Sequence, residues 1–150
     1  MSTYLIAIVV SDFANISSDN ERYSAWSNPI ISNQLNYSLE IMGPIVELFE
    51  KNLEQAYSLP KLDMFAIPDF TSGAMENWGL IIYRESGMLY SDNLTSALRK
   101  QGIRNVIAHE ITHQWFGNLV SPLWWKYLWL NEGFARYFQW HTYTEVCTFY

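Results

Sequence analysis

Two histidines four residues apart, His109 and His113, constrain this chain more than any other feature. On an α-helix, positions i and i+4 lie one turn apart on one face. Imidazoles placed there can reach a single metal ion at about 2.0–2.1 Å. Glu110 sits about 100° around the axis from His109, beside such an ion without ligating it. That suits a base that takes a proton from water activated by the metal. Two histidines leave a catalytic metal one protein ligand short. Glu132 is the best candidate for it. It follows His113 by 19 positions and stands near the start of the next expected helix. A helix–loop–helix hairpin of that length can return it beside the histidines. Asp69 and Glu76 are rivals on spacing alone, and His141 reads as an ordinary surface histidine.

Composition narrows the functional classes. Of 150 residues, 49% are apolar and 17% aromatic, enough for a packed core. The balance of 9 basic against 15 acidic residues gives a net charge of −6 and disfavours a nucleic-acid partner. The single cysteine, Cys147, excludes an internal disulfide. The longest apolar run, Tyr4–Val10, falls far short of the roughly 20 residues a membrane span needs. No Lys or Arg precedes it and no small-x-small cleavage site follows, so it reads poorly as a signal peptide. Its Ile and Val content predicts a central strand.

Along the chain, Ser11–Asn36 reads as loop and turn. Apolar residues at helical spacing predict a helix over Leu39–Tyr57, kinked or delayed by Gly43-Pro44. Leu62–Ile67 and Leu80–Tyr83 read as strands, with a loop over Asp69–Trp78 between them. Helices are expected near Ile103–Phe116 and Leu130–Trp140. Gly117-Asn118 ends the first, and a Trp-rich connection opens at Ser121-Pro122. Strands and helices without regular alternation predict an α+β fold.

The string His109-Glu110-x-x-His113, followed by Asn131-Glu132-Gly133, resembles the gluzincin zinc metallopeptidases. Gly73-Ala74-Met75-Glu76-Asn77-Trp78-Gly79-Leu80 is similar to the signature of the aminopeptidase N family. So are the strings Pro60–Phe70, His113–Val120 and Leu128–Ala135. Trp124-Trp125-Lys126-Tyr127 is most similar to insect gut members.

The resemblance implies a zinc-dependent aminopeptidase with one Zn²⁺ per chain, held by His109, His113 and Glu132. Glu110 would be the general base. Gly73, Ala74, Met75, Glu76 and Asn77 would bind the substrate, a peptide with a free N-terminus. Within that set, Glu76 would grip the α-ammonium. The implied architecture is the end of an N-terminal β domain over residues 1–30. The first part of a thermolysin-like catalytic domain, with the zinc helix, would occupy 31–150.

Two departures stand out. Lys126 and Tyr127 replace an acidic or amide pair of the family. A family tyrosine that stabilises the oxyanion has no counterpart at the expected separation, since Tyr137, Tyr143 and Tyr150 all stand too close to Glu132. The chain is therefore expected to be a fragment whose activity belongs to its parent.

The sequons at Asn15, Asn36 and Asn93 lend slight weight to a cell-surface or extracellular parent, with a cytoplasmic one as the alternative. Membrane anchoring would need segments outside this chain. A leukotriene-A4-hydrolase-like epoxide hydrolase is a rival reading, which Ala74 and Trp78 oppose. A non-catalytic receptor domain is another, opposed by the intact ligand set. A thermolysin-like endopeptidase would leave the Glu76 loop without a purpose.

Overall fold

The computed structural model describes residues 2–146. Eight elements follow one another: β1 (Ala14–Ser17), β2 (Tyr23–Ser27), α1 (Asn36–Leu53), β3 (Leu62–Ile67), β4 (Ala74–Met75), β5 (Leu80–Arg84), α2 (Ala97–His113) and α3 (Leu128–Val146). The strands form one mixed sheet in the order β1-β2-β3-β5-β4. The β2–β3 and β3–β5 pairs are parallel, whereas β1–β2 and β4–β5 are antiparallel. A parallel pair needs a long crossover, and α1 supplies it between β2 and β3. The chain is thus a mixed helix-and-strand fold. Its β1–β2 hairpin shares the sheet with the strands beyond residue 31.

The core lies between the sheet and the helices. Ile41, Met42, Ile45, Val46 and Phe49 of α1 meet Leu62, Met64 and Ala66 of β3, Ile81 and Tyr83 of β5, and Ile103, Ile107 and Ile111 of α2. These positions on α1 and α2 recur at three- and four-residue spacing, so one face of each helix is buried.

Four expectations need correction. Tyr4–Val10 is not a strand. Thr3–Leu5 is a 3₁₀ turn, and the residues after it join no sheet among the described residues. Leu5 is 1% exposed, whereas Ile8 is 85% and Val10 95%. Apolar content suited a strand there, but Leu5 alone of the run is buried, and Tyr4 packs on Trp125 with ring centroids 5.2 Å apart. The expected loop at 11–36 instead holds β1 and β2, short strands rich in Ser and Asn. β1 pairs with β2 and β2 with β3, and that pairing outweighs their weak propensity.

The third correction concerns α1, which starts at Asn36 and runs unbroken through Gly43-Pro44. Gly43 sits where a Cβ would meet the Tyr23 ring at 3.4 Å, so the helix presses close onto β2. It ends at Leu53, where Glu54 turns left-handed with φ 51°. The fourth concerns α2, which begins at Ala97. There the Ser96 hydroxyl caps the first turn by accepting from Arg99 N–H.

Arg22, beside β2, grips Glu50 of α1, with Nη2 to Oε1 at 2.6 Å. Glu50 Oε1 also accepts from Tyr57 N–H at 2.8 Å. The Arg22 bond chiefly holds the Glu50 carboxyl below the usual carboxylate range. A lowered folded-state pKa contributes stability that is complete above the unfolded value, near 4.3 for Glu. It is lost as pH falls through the folded value. Glu50→Gln should therefore lower the unfolding midpoint at pH 7, and the gap to wild type should close on acidification below the carboxylate range. Thermal melts of both chains across pH 2–7 read this directly.

Candidate active site

The core face of α2 dictates where its polar end points. With Ile103, Ile107, Ala108 and Ile111 buried, His109 and His113 turn toward α3. Their rings meet edge-on, with centroids 4.8 Å apart and planes at 82°. Their Nε2 atoms lie 3.2 Å from each other. Glu132, in the first turn of α3, brings Oε2 to 3.4 Å from His109 Nε2 and Oε1 to 3.7 Å from His113 Nε2.

Bound groups around this triangle fix the imidazoles. His113 Nδ1 is 3.0 Å from the Phe116 carbonyl oxygen, and His109 Nδ1 is 3.3 Å from Gln139 Oε1. Both partners are acceptors, which assigns the proton to Nδ1 and leaves the Nε2 lone pairs facing the triangle. Burial, then the neighbouring His113, lowers the pKa of His109, so it is held neutral. Two facing lone pairs and a carboxylate suit a cation. A tetrahedral ion at about 2.0–2.1 Å places its ligands about 3.3 Å apart, close to the three edges here. His109, His113 and Glu132 could therefore hold a divalent metal.

Gly117 makes the turn after α2 possible. Its φ is +135°, and a Cβ would stand 3.2 Å from the Asn131 amide and 3.5 Å from His113 Nδ1.

Glu110 faces the other side of the cleft and is 7% exposed. Burial, reinforced by the charges of Glu76 and Glu132, raises its pKa well above the ordinary value. A carboxylate so placed takes up a proton readily. Ligand atoms of Glu76, Glu110 and His113 all lie within 4.8 Å of one another.

Glu76 follows β4, the edge strand of the sheet. Its Oε1 accepts from the Tyr4 hydroxyl at 3.4 Å. Burial and the Glu76 charge push Tyr4 up to about 12. The Glu76 carbonyl accepts from Gln114 Nε2 at 3.2 Å and from Asn118 Nδ2 at 2.9 Å.

A cleft of about 450 Å³ gathers Gly73, Ala74, Met75 and Glu76 on one wall with His109, Glu110, His113 and Glu132 on the other. Asn77 alone of the expected residues is off its wall. It is buried behind, donating Nδ2 to the Tyr4 carbonyl at 3.4 Å. Of the rival ligands, Asp69 is exposed and outside the cleft, while Glu76 groups with Glu110 and His113 but not with His109. His141 packs against Tyr137 and Phe138, and neither His141 nor Tyr137 lines the cleft. The Tyr143 side chain, Cys147 and Tyr150 lie outside the described residues. The three sequon asparagines are exposed.

Sequence reasoning passed over several participants. Gln139 follows Glu132 by two helical turns on the same face, a spacing that could have pointed to it. Gln114 and Asn118 stood inside a recognised string without a role. Tyr4 was read as part of a strand.

Comparison with known proteins shows the family. The Peptidase family M1 domain matches residues 37–148. Aminopeptidase N of Mus musculus is 49% identical over 142 residues, which cover 91% of this chain and 15% of that protein. Endoplasmic reticulum aminopeptidase 2 of Bos taurus is 49% identical over 142 residues, 93% of this chain and 15% of that protein. Endoplasmic reticulum aminopeptidase 1 of Homo sapiens is 48% identical over 142 residues, again 93% and 15%. The chain thus spans about 15% of the length of these curated relatives. With a family match over most of its length and near-half identity to aminopeptidase N, the chain belongs to peptidase family M1.

Proposed function

We propose that the protein containing this chain is a zinc aminopeptidase. On this reading, His109, His113 and Glu132 hold one Zn²⁺ per chain. The observation that carries it is the triangle of ligand atoms with edges of 3.2, 3.4 and 3.7 Å, facing the buried Glu76 carboxylate across one cleft. When bound, the zinc ion supplies Lewis-acid chemistry, polarising a carbonyl and making water more acidic.

The chain's own residues do the rest. Glu110 accepts the proton of the attacking water and later returns it to the leaving amine. Edge strand β4 lets the substrate lie alongside Gly73–Met75 as an added strand. Glu76 holds the free α-ammonium in a charge-assisted contact, so that the first peptide bond lies at the metal site. Substrates are therefore peptides with a free N-terminus. In this reading 31–150 is part of a thermolysin-like catalytic domain, and 1–30 ends the β domain before it. The parent works at the cell surface or outside the cell, although two relatives are named for the endoplasmic reticulum. Among the described residues, no helix is long and apolar enough to cross a membrane.

Three outcomes test the assignment. Metal analysis after dialysis should find one zinc per wild-type chain and a severe loss in His113→Ala, because removing a ligand leaves only two. Retention of zinc by that variant would remove His113 from the set. In the full-length parent, Glu110→Gln should keep its zinc and lose about 10²–10⁴-fold in kcat, the usual contribution of a general base. Loss of metal along with activity would make Glu110 structural instead. Glu76→Ala should cost about 10–150-fold in kcat/KM toward a short free-amine peptide, from a charged contact of roughly 1.5–3 kcal/mol. The N-acetylated form of that peptide should be a poor substrate for the wild type. Equal cleavage of both forms would favour an endopeptidase.

A further inference from the structure

Glu76 lies just beyond the support of the sheet. The β4–β5 ladder pairs Ala74 with Tyr83 and Met75 with Ile82, and it stops there. What holds the next carbonyl is a pair of side-chain amides from the end of α2. Gln114, 1% exposed, donates Nε2 to the Glu76 carbonyl at 3.2 Å and to the Glu110 carbonyl at 3.4 Å. Its Oε1 accepts from Gly79 N–H at 3.2 Å and from the Tyr57 hydroxyl at 3.4 Å. Asn118, 2% exposed, donates Nδ2 to the same Glu76 carbonyl at 2.9 Å. Its own N–H is tied to the His113 carbonyl at 3.0 Å.

Two amides just past the histidine-bearing turn therefore converge on one peptide oxygen of the opposite wall. Water cannot compete for bonds so deeply buried, and the Gln114 amide is satisfied at both its Nε2 and its Oε1. It couples the Glu76 backbone directly to the helix that carries His109, Glu110 and His113. An extended peptide advances about 3.3 Å per residue. A drift of that size in the anchor would move the reactive site by one bond. A misplacement of only about 1 Å can cost on the order of 10²-fold.

We propose that Gln114 and Asn118 are positioning residues that set the distance between the Glu76 carboxylate and the paired histidines, and that this distance confines cleavage to the first peptide bond. The inference rests on the reading of Glu76 as the ammonium anchor.

The test compares kcat/KM for one short peptide in free-amine and N-acetylated form, using the full-length parent. The variants are Gln114→Met, which keeps length without hydrogen bonds, and Asn118→Ala. The ratio of free to acetylated should fall about 10–100-fold in each, with zinc content retained. A purely structural role would lower both rates together and leave the ratio at its wild-type value, which overturns the proposal. Should Gln114→Met fail to fold, judged by its thermal transition, Asn118→Ala decides alone. Glu76→Ala serves as the reference. If it collapses the ratio while the amide variants do not, the positioning role falls and the ammonium anchor stands. If Glu76→Ala itself leaves the ratio intact, both fall.

Discussion

Phe116 stacks on Phe134 and Phe138, with ring centroids 4.7 and 5.4 Å away. Phe138 in turn meets the edge of Phe49 at 5.4 Å, and Phe49 stacks on Trp115 at 5.3 Å. This aromatic block joins α1, the end of α2 and α3 directly beneath the candidate site. Aromatic pairs contribute burial and a preferred geometry, so they fix how α3 lies against α2. Glu132 reaches both histidines only because that crossing is fixed. His113 and Glu132, 19 positions apart on two helices, become through these rings two sides of one donor set.

The charges of the cleft impose the opposite demand. Glu76, Glu110 and Glu132 share one wall-to-wall space with the imidazoles of His109 and His113. Like charges so close, in a site that is partly buried, repel and favour protonation. The raised pKa of Glu110 records that repulsion on top of its burial. A divalent cation near Glu132 and an ammonium near Glu76 would each relieve it. The proposed metal and the proposed substrate thus answer one electrostatic problem, and the packing of the aromatic block sustains the strain meanwhile.

Rigidity is distributed accordingly. The imidazoles are fixed from behind, by the Phe116 carbonyl and by Gln139, which also accepts from Arg136 Nη1 at 3.3 Å. The Glu76 wall is fixed by Gln114 and Asn118 on one side and by Tyr4 on the other. The Tyr4–Leu5 segment, held by Asn77 Nδ2 and by Trp78 N–H, is a long-range strap on the same loop. Most of these supports link residues separated widely in sequence; the turn after α2 and the Arg136–Gln139 bond are local.

The helix bearing His109, Glu110 and His113 was legible because helical periodicity is local: four residues make one turn whatever surrounds them. The buried faces of α1 and α2 and the strands β3 and β5 followed from the same short-range patterns. Family strings point to Glu132 and to the Gly73–Asn77 loop from the sequence itself. Spacing alone left Asp69 and Glu76 open as ligands, and only the packing of α3 on α2 brought Glu132 onto both histidines. Tyr4–Val10 had the composition of a strand but no neighbour to pair with. The Ser- and Asn-rich β1 and β2 had such a neighbour and became strands. Asn77 matched the loop signature yet faces Tyr4, because the chain turns inward after Met75. Gln114 and Asn118 stand in a family string and Gln139 at helical spacing from Glu132, but neither signal names their hydrogen-bond partners. Their roles arise from partners that the fold delivers, since a hydrogen bond depends on where two atoms meet and not on how far apart they stand in the chain.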